Sequence, residues 1–136
     1  AGFEIPPELA QRMGRGLTAF AEGRIKPEHW SPQSDLVVRK LTAIEALTRR
    51  GQKPLSALSS LEVEPLRLPT SALIDWYLIV KRLGDLPARA EKLAAAEREL
   101  RNRLSYVGGR LVFTSERSDY SWWLMVSGDA NAFRLI

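Results

Sequence analysis

Residues 69–84, PTSALIDWYLIVKRLG, decide the fold class, because they predict a long helix that is apolar on almost every side. Pro69 and Thr70 open the predicted helix, which runs through Leu83 and ends at Gly84. Its apolar residues are Leu73, Ile74, Trp76, Tyr77, Leu78, Ile79 and Val80. A helix of this kind is normally enclosed by neighbouring elements. We therefore expect a mostly α-helical protein.

The first helix upstream opens at Pro6-Pro7 and ends at Gly23. Its large apolar residues recur every three or four positions, which predicts one buried face made of Leu9, Met13, Leu17 and Phe20. Gly14 and Gly16 lie inside the same helix. Each weakens a helix by about 1 kcal/mol. We interpret them as positions that permit close packing against a neighbour.

Prolines and glycines mark the ends of further predicted helices. A second helix is predicted over residues 35–50, with a basic last turn and Gly51 as its closing residue. A short helix begins at Pro54. Another long helix, with Asp85 as its N-cap and Pro87 just inside, extends to about Arg103. Its charges alternate in sign, as on a solvated helix face. Short linkers between helices predict antiparallel helical hairpins.

The pattern changes after Leu104. Residues 106–113, YVGGRLVF, predict a small β-hairpin around the Gly108-Gly109 turn, which should lean on the helices because an isolated hairpin is marginal. A final helix is predicted from Asp129. Because the chain stops within its apolar pattern at Ile136, we expect residues 1–136 to be one helical fragment of a larger protein.

Composition excludes several classes of function. The 136 residues include no cysteine and one histidine, and the formal net charge is +4. Thiolate chemistry is therefore excluded, and so are most metal sites and catalytic triads, which need several converging ligands. The sequence has no stripe of basic residues interleaved with aromatics, so it does not predict nucleic-acid binding. No apolar run is long enough to span a membrane. We predict neither an enzyme nor a cofactor site.

Three places could still carry chemistry or recognition. His29 is either a proton-transfer residue or, as we favour, a surface residue stacked beside Trp30. Asp75 is either an acid–base group or, as we favour, a residue that lies on the one exposed strip of its helix or pairs with an arginine. The adjacent Trp122 and Trp123 point about 100° apart on a helix, so one could anchor the core while the other contacts a partner. Core packing is the commoner outcome for such residues.

Particular residues then suggest a family. Residues 100–104, LRNRL, the glycine turn and residues 119–135, DYSWWLMVSGDANAFRL, resemble the later part of the thioester (complement-like) domain of bacterial α2-macroglobulins. Residues 2–6, GFEIP, resemble the start of a helical hairpin in that domain, and residues 39–47 fit less specifically. The distinctive part is residues 122–132, WWLMVSGDANA.

The resemblance implies the C-terminal portion of an α/α-toroid. Members of this family are large periplasmic proteins, often lipid-anchored, that trap proteases: a bait region is cut, the molecule rearranges, and an internal thioester acylates the attacker. That thioester belongs to a Cys-x-Glu-Gln motif near the start of the toroid, so no reactive residue can be assigned in this chain. The implied role is a structural and interaction segment, in contact with neighbouring macroglobulin domains and, through the parent protein, with proteases. Trp122, Trp123 and Met125 are the candidate interaction or thioester-shielding residues.

Two other interpretations stay open. A helical-repeat scaffold that binds another protein could share the same pattern, and a concave superhelix would favour it. A toroid enzyme related to terpenoid cyclases would need acidic motifs, and Asp75 and Asp85 form no such cluster. Helical hairpins with a small β-hairpin near residues 106–113 would favour the macroglobulin interpretation.

Overall fold

The computed structural model describes residues 5–25, 33–113 and 128–135. For residues 33–35 and 128–130 it describes the backbone only. The chain divides into two compact units, Ala1–Glu62 and Val63–Ile136. The structure is mostly helical with one small antiparallel sheet, which confirms the predicted fold class. That residues 1–136 are a portion of a larger toroid domain stays a prediction.

Most elements begin or end close to a proline or a glycine of the sequence. The first unit contains α1 (Pro7–Ala21), α2 (Gln33–Arg49) and α3 (Leu55–Ser59). The second unit begins with a 3₁₀ turn (Pro65–Arg67) and continues with α4 (Thr70–Arg82), α5 (Arg89–Asn102), β1 (Leu104–Val107), β2 (Arg110–Phe113) and α6 (Gly128–Leu135).

The α1 and α2 helices form an antiparallel hairpin in the first unit. A Cβ added to Gly14 would lie 3.4 Å from Nε2 of Gln52, beyond the end of α2, whereas one added to Gly23 would lie 3.6 Å from Nζ of Lys40, in its middle. Later positions of α1 therefore face earlier positions of α2. Gly14 is buried, but the atom nearest its Cβ position is the end of the exposed Gln52 side chain, and nothing lies within 4 Å of a Cβ on Gly16, where close packing was also predicted.

The end of α2 shows why a glycine follows its basic last turn. Gly51 has φ +77°, its N–H donates to Thr48 O (3.0 Å), and the N–H of Gln52 donates to Leu47 O (3.1 Å). This pair of hydrogen bonds is the Schellman motif, which satisfies the last carbonyls of a helix and requires a left-handed residue. The predicted glycine cap is confirmed.

The α4 and α5 helices form a second antiparallel hairpin, whose two ends are marked by arginines. At one end, Arg89 donates from Nε to Val80 O (3.1 Å) and from Nη2 to Lys81 O (3.0 Å), so that it caps the C-terminus of α4. At the other end, Arg103 donates to Leu68 O (2.7 Å), just ahead of α4. The N-terminus of each helix thus lies beside the C-terminus of the other.

The core of the second unit is built on α4, as its composition predicts. Nine of its 13 residues are buried, namely Thr70, Ser71, Ala72, Leu73, Ile74, Asp75, Trp76, Ile79 and Val80. Ala96 and Leu100 of α5 are also buried. An all-round apolar helix is stable only where most of its surface is removed from water. The enclosure of α4 is therefore what its sequence requires.

The β-hairpin has the predicted two-residue turn. Leu104 pairs with Phe113 and Val107 with Arg110, and the turn residues Gly108 and Gly109 have φ of +56° and +78°. Positive φ at both central residues is the type I′ geometry that suits strand twist, and glycine adopts it without steric cost. The β2 strand contacts α6, which in turn contacts α4, so the hairpin leans on helices as expected.

One predicted helix start is wrong. The α5 helix begins at Arg89, with Ala88 as its N-cap, and not after Asp85. Ala88 has φ +53° and ψ +35°, and no side-chain hydrogen bond caps the helix. The chain leaves α4 in an extended conformation at Leu83 and turns over residues 84–88 before α5 starts. The sequence of this turn resembles a helix start, but these residues form the connection that reverses the chain direction between α4 and α5.

Candidate interaction site

The recognition residues predicted from sequence lie outside the described residues. This holds for Trp122, Trp123 and Met125, and also for His29. The structure does, however, describe what precedes and follows residues 114–127. Phe113, the last residue of β2, is buried, and α6 begins at Gly128. The candidate segment is thus joined at both ends to elements of the second unit.

An ion pair fastens the element that follows the candidate segment. Nη2 of Arg134, on α6, donates to Oδ1 of Asp75, on α4. The Asp75 residue is 1% exposed, and Asn131 of α6 is buried as well. A buried carboxylate is costly unless it is paired, so the guanidinium is needed where α6 docks. Asp75 therefore pairs with an arginine, which is one of the two outcomes expected from the sequence, and it does not lie on an exposed strip.

Another arginine, which is buried, organises the start of the same unit. Arg103 is 9% exposed, and its Nε lies 2.9 Å from Oε1 of Glu99. The guanidinium also donates to three carbonyl oxygens of the turn ahead of α4: Leu68 O (2.7 Å), Pro65 O (3.3 Å) and Leu66 O (3.3 Å). The planar fork of arginine suits donation to several acceptors at once. The turn thus depends on a residue more than thirty positions away.

The sequence analysis missed this role of Arg103. The residue belongs to the run of alternating charges that the sequence analysis assigned to a solvated helix face. The side chains of Arg103 and Glu99 are instead mostly buried, at 10% and 16% exposure. One signal was present: Arg103 directly precedes the apolar strand Leu104–Val107, where the helix has ended and the chain enters the packed hairpin.

The α1 helix exposes the side chains that were predicted to be buried. Leu9 and Met13 are each 46% exposed, and Leu17 and Phe20 are only half-buried. The predicted buried face is therefore wrong. The buried positions of α1 are small residues, Gly14 and Ala21. At about 100° per residue, Met13 lies about 100° and Leu9 about 140° around the axis from Gly14.

The reason is the position of α2, which packs against α1. The small side of α1 packs against its neighbour, so the large apolar side chains point elsewhere. Leu9, Met13 and Leu17 recur every four positions and form a row that we call the α1 stripe, and Ile5, which lies ahead of the helix, is 53% exposed. Contiguous exposed apolar side chains mark sites of protein interaction more often than scattered ones do.

The second unit has its own exposed apolar residues. Tyr106 and Leu111 are cross-strand partners in the hairpin and are 76% and 55% exposed. Side chains at alternate positions share a face, so this pair lies on the same side as the Leu104–Phe113 pair. Phe113 is buried, and the apolar face of the hairpin therefore runs from a packed base to an exposed tip. Phe133 of α6 is 82% exposed.

The described residues offer apolar contact surfaces and no assembled metal site. Across residues 5–25, 33–113 and 128–135, no group of three or more His, Cys, Asp or Glu side chains converges as metal ligands would. Among the described helices, none combines the length and the apolar character needed to span a membrane. In comparisons with protein-family models, curated proteins and solved structures, the chain has no significant match.

Proposed function

We propose that this chain is a structural and interaction segment of a bacterial α2-macroglobulin-like protease inhibitor, and that it carries no catalytic site of its own. The observation that carries the proposal is the order of elements. Two antiparallel α-hairpins, α1–α2 and α4–α5, are followed by a β-hairpin at residues 104–113 and then by a helix that contains part of the distinctive motif. The resemblance of residues 119–135 supplies the family.

The docking of α6 gives the motif a physical role. Asn131 is fully buried within the motif, and Arg134 just beyond it holds Asp75. The residues that resemble the family thus include the ones that fasten α6 to α4. Under the proposal, Trp122, Trp123 and Met125 lie just upstream of this anchor and contact a neighbouring macroglobulin domain, where they shield the thioester or support the domain interface. The parent would act in the periplasm, in some cases through a lipid anchor.

The first experiment asks whether the full-length parent traps a protease. The parent is incubated in molar excess with trypsin, and cleavage of casein and of a small chromogenic peptide is measured. A trapped protease is enclosed, so we expect casein cleavage to fall at least tenfold while peptide cleavage persists. Unchanged cleavage of both substrates, tested over several proteases, would contradict the proposed inhibitor function.

The second experiment asks about the candidate residues. In the full-length parent, Trp122→Ala, Trp123→Ala and Met125→Ala are compared with Arg98→Gln, a change at an exposed position of α5. We expect the triple variant to lose protease trapping and the Arg98 variant to keep it. Thermal unfolding of each variant is measured in parallel, because a variant that traps normally while unfolding earlier would assign these residues to core packing alone.

The third experiment defines the branch of the family. Mass spectrometry of the parent is carried out with and without methylamine. One amine adduct together with one newly titratable thiol would establish a live thioester upstream of this chain. Trapping without an adduct would place the parent among inhibitors that act without a covalent bond.

The alternative function is a helical scaffold that binds a protein partner and inhibits nothing. The α1 stripe favours it, because a binding scaffold also exposes apolar helix faces. The two proposals differ in the trapping experiment. A parent that leaves casein cleavage unchanged but is retained by a partner through Leu9 and Met13 would support the scaffold.

A further inference from the structure

We propose that α6 is a strap, a helix that opens from and closes onto α4 and β2 while the α4–α5 hairpin stays folded. The inference rests on a difference in how the helices of the second unit are held. The described anchors of α6 are polar side chains, whereas α4 is enclosed mainly through apolar ones. It goes beyond the proposed function and does not depend on the family of the parent.

The α6 helix buries little apolar surface in the part whose side chains are described. It contacts β2 and α4. Within residues 131–135, Asn131 is the one buried residue, and Leu135 is half-buried. Phe133, the largest apolar residue of the helix, is 82% exposed. Because helices in proteins are stabilised mainly by packing of an apolar face, these residues hold α6 weakly.

The ion pair between Arg134 and Asp75 sets where α6 docks more than how strongly it docks. Both charges lose hydration when α6 closes, and this cost offsets much of their attraction. In the closed state the Asp75 side chain is 2% exposed and the Arg134 side chain is 31% exposed, so opening mainly returns water to the carboxylate. A closed state held by such a pair lies only a small free energy below the open state.

The α4–α5 hairpin keeps its own supports when α6 opens. Leu73 and Ile79 of α4 and Leu100 of α5 are buried. Arg89 of α5 caps the C-terminus of α4, and Arg103 binds the turn ahead of α4. Proteins open in parts, and elements with few buried apolar contacts open before the core does. We therefore expect α6 to open in a step of its own.

Native-state hydrogen exchange of the 136-residue chain, followed by NMR, tests the proposal. The amides of Phe133 and Arg134 should be protected, but at least tenfold less than those of Ile79 and Val80 in α4. Their exchange should also depend less on urea, because opening one short helix exposes less surface than global unfolding does. Unprotected α6 amides would contradict a closed state, and protection equal to that of α4 would contradict separate opening.

A substitution in the hairpin distinguishes a strap from a single cooperative unit. Leu100→Ala removes buried contacts that the closed and open states share. Protection of the α4 amides should therefore fall at least tenfold, while that of the α6 amides stays within about twofold. An equal loss in both helices would overturn the proposal.

Two further variants of α5 support this comparison. Ala96→Gly alters the other buried position of the helix and should give the same pattern if Leu100→Ala does not fold. Arg98→Gln, at an exposed position, is the control and should change protection in neither helix.

A substitution in the strap tests the polar anchor. Arg134→Gln takes the cation from Asp75 in the closed state alone, so protection of the α6 amides should fall at least tenfold. Phe133→Tyr, at the exposed position next to Arg134, is the matched control and should leave this protection within about twofold. Unchanged protection in Arg134→Gln, or an equal loss in Phe133→Tyr, would show that the ion pair does not hold the strap.

Discussion

Arg134 lies 59 positions along the chain from Asp75, and the two side chains form an ion pair that fastens α6 to α4. The carboxylate side chain is only 2% exposed, whereas that of the arginine is 31% exposed. The pair is therefore asymmetric: the guanidinium can reach water when its partner is lost, and the carboxylate cannot.

This asymmetry predicts unequal effects of the two single substitutions. Arg134→Gln removes the guanidinium from a buried carboxylate and should lower the free energy of unfolding by about 2–4 kcal/mol. Asp75→Asn leaves a cation that can be hydrated and should cost less, about 1–2 kcal/mol. Urea unfolding of both variants and of the double variant gives the coupling energy. Additive effects of the two substitutions would show that the pair contributes nothing specific.

Substitution of Arg103 should destabilise the 3₁₀ turn. Arg103→Lys keeps the charge but cannot reach Glu99 and the carbonyls of residues 65–68 together, so we expect a loss of about 2–3 kcal/mol. Hydrogen exchange at the amides of Arg67 and Leu68, which donate to Glu64 O and Pro65 O, should become faster. Arg101→Lys, at an exposed position of the same helix, is the control and should change neither quantity.

Ala88 predicts a stabilising substitution. Its φ of +53° is left-handed, which costs a residue with a Cβ about 1–2 kcal/mol more than glycine. Ala88→Gly should therefore raise the free energy of unfolding by about 1 kcal/mol. Ala94→Gly, an exposed position inside α5, should lower it by about the same amount because glycine is a poor helix former. Equal effects of the same sign would contradict the backbone argument.

Substitution of the two glycines of α1 by alanine should raise stability by different amounts. Gly16→Ala adds a methyl group to open space and should gain close to the full helix-propensity difference of about 1 kcal/mol. Gly14→Ala should gain slightly less, because its Cβ would lie 3.4 Å from Nε2 of Gln52, an exposed side chain that would have to shift. Thermal unfolding of the two variants, measured side by side, checks the difference. A larger gain for Gly14→Ala would mean that the Gln52 side chain does not restrict this position.

The sequence analysis succeeded where a few neighbouring residues decide the conformation. The start of α1 at Pro7, the glycine cap of α2 at Gly51 and the turn at Gly108-Gly109 were all predicted, and the structure has them. It failed at Asp85, where a sequence typical of a helix start belongs to a turn. The roles of Trp122, Trp123 and Met125 stay predictions.

What the sequence determined by itself is the set of elements, because a proline at a helix start or a glycine at positive φ acts through local backbone energies. The tertiary structure alone decided three relationships: which side of α1 is buried, which charges are removed from water, and which arginine pairs with Asp75. Periodicity showed that Leu9 and Met13 share a face, but the neighbour took the small-residue side. Arg103 and Arg134 find their partners 35 and 59 positions away, and no local pattern encodes such distances.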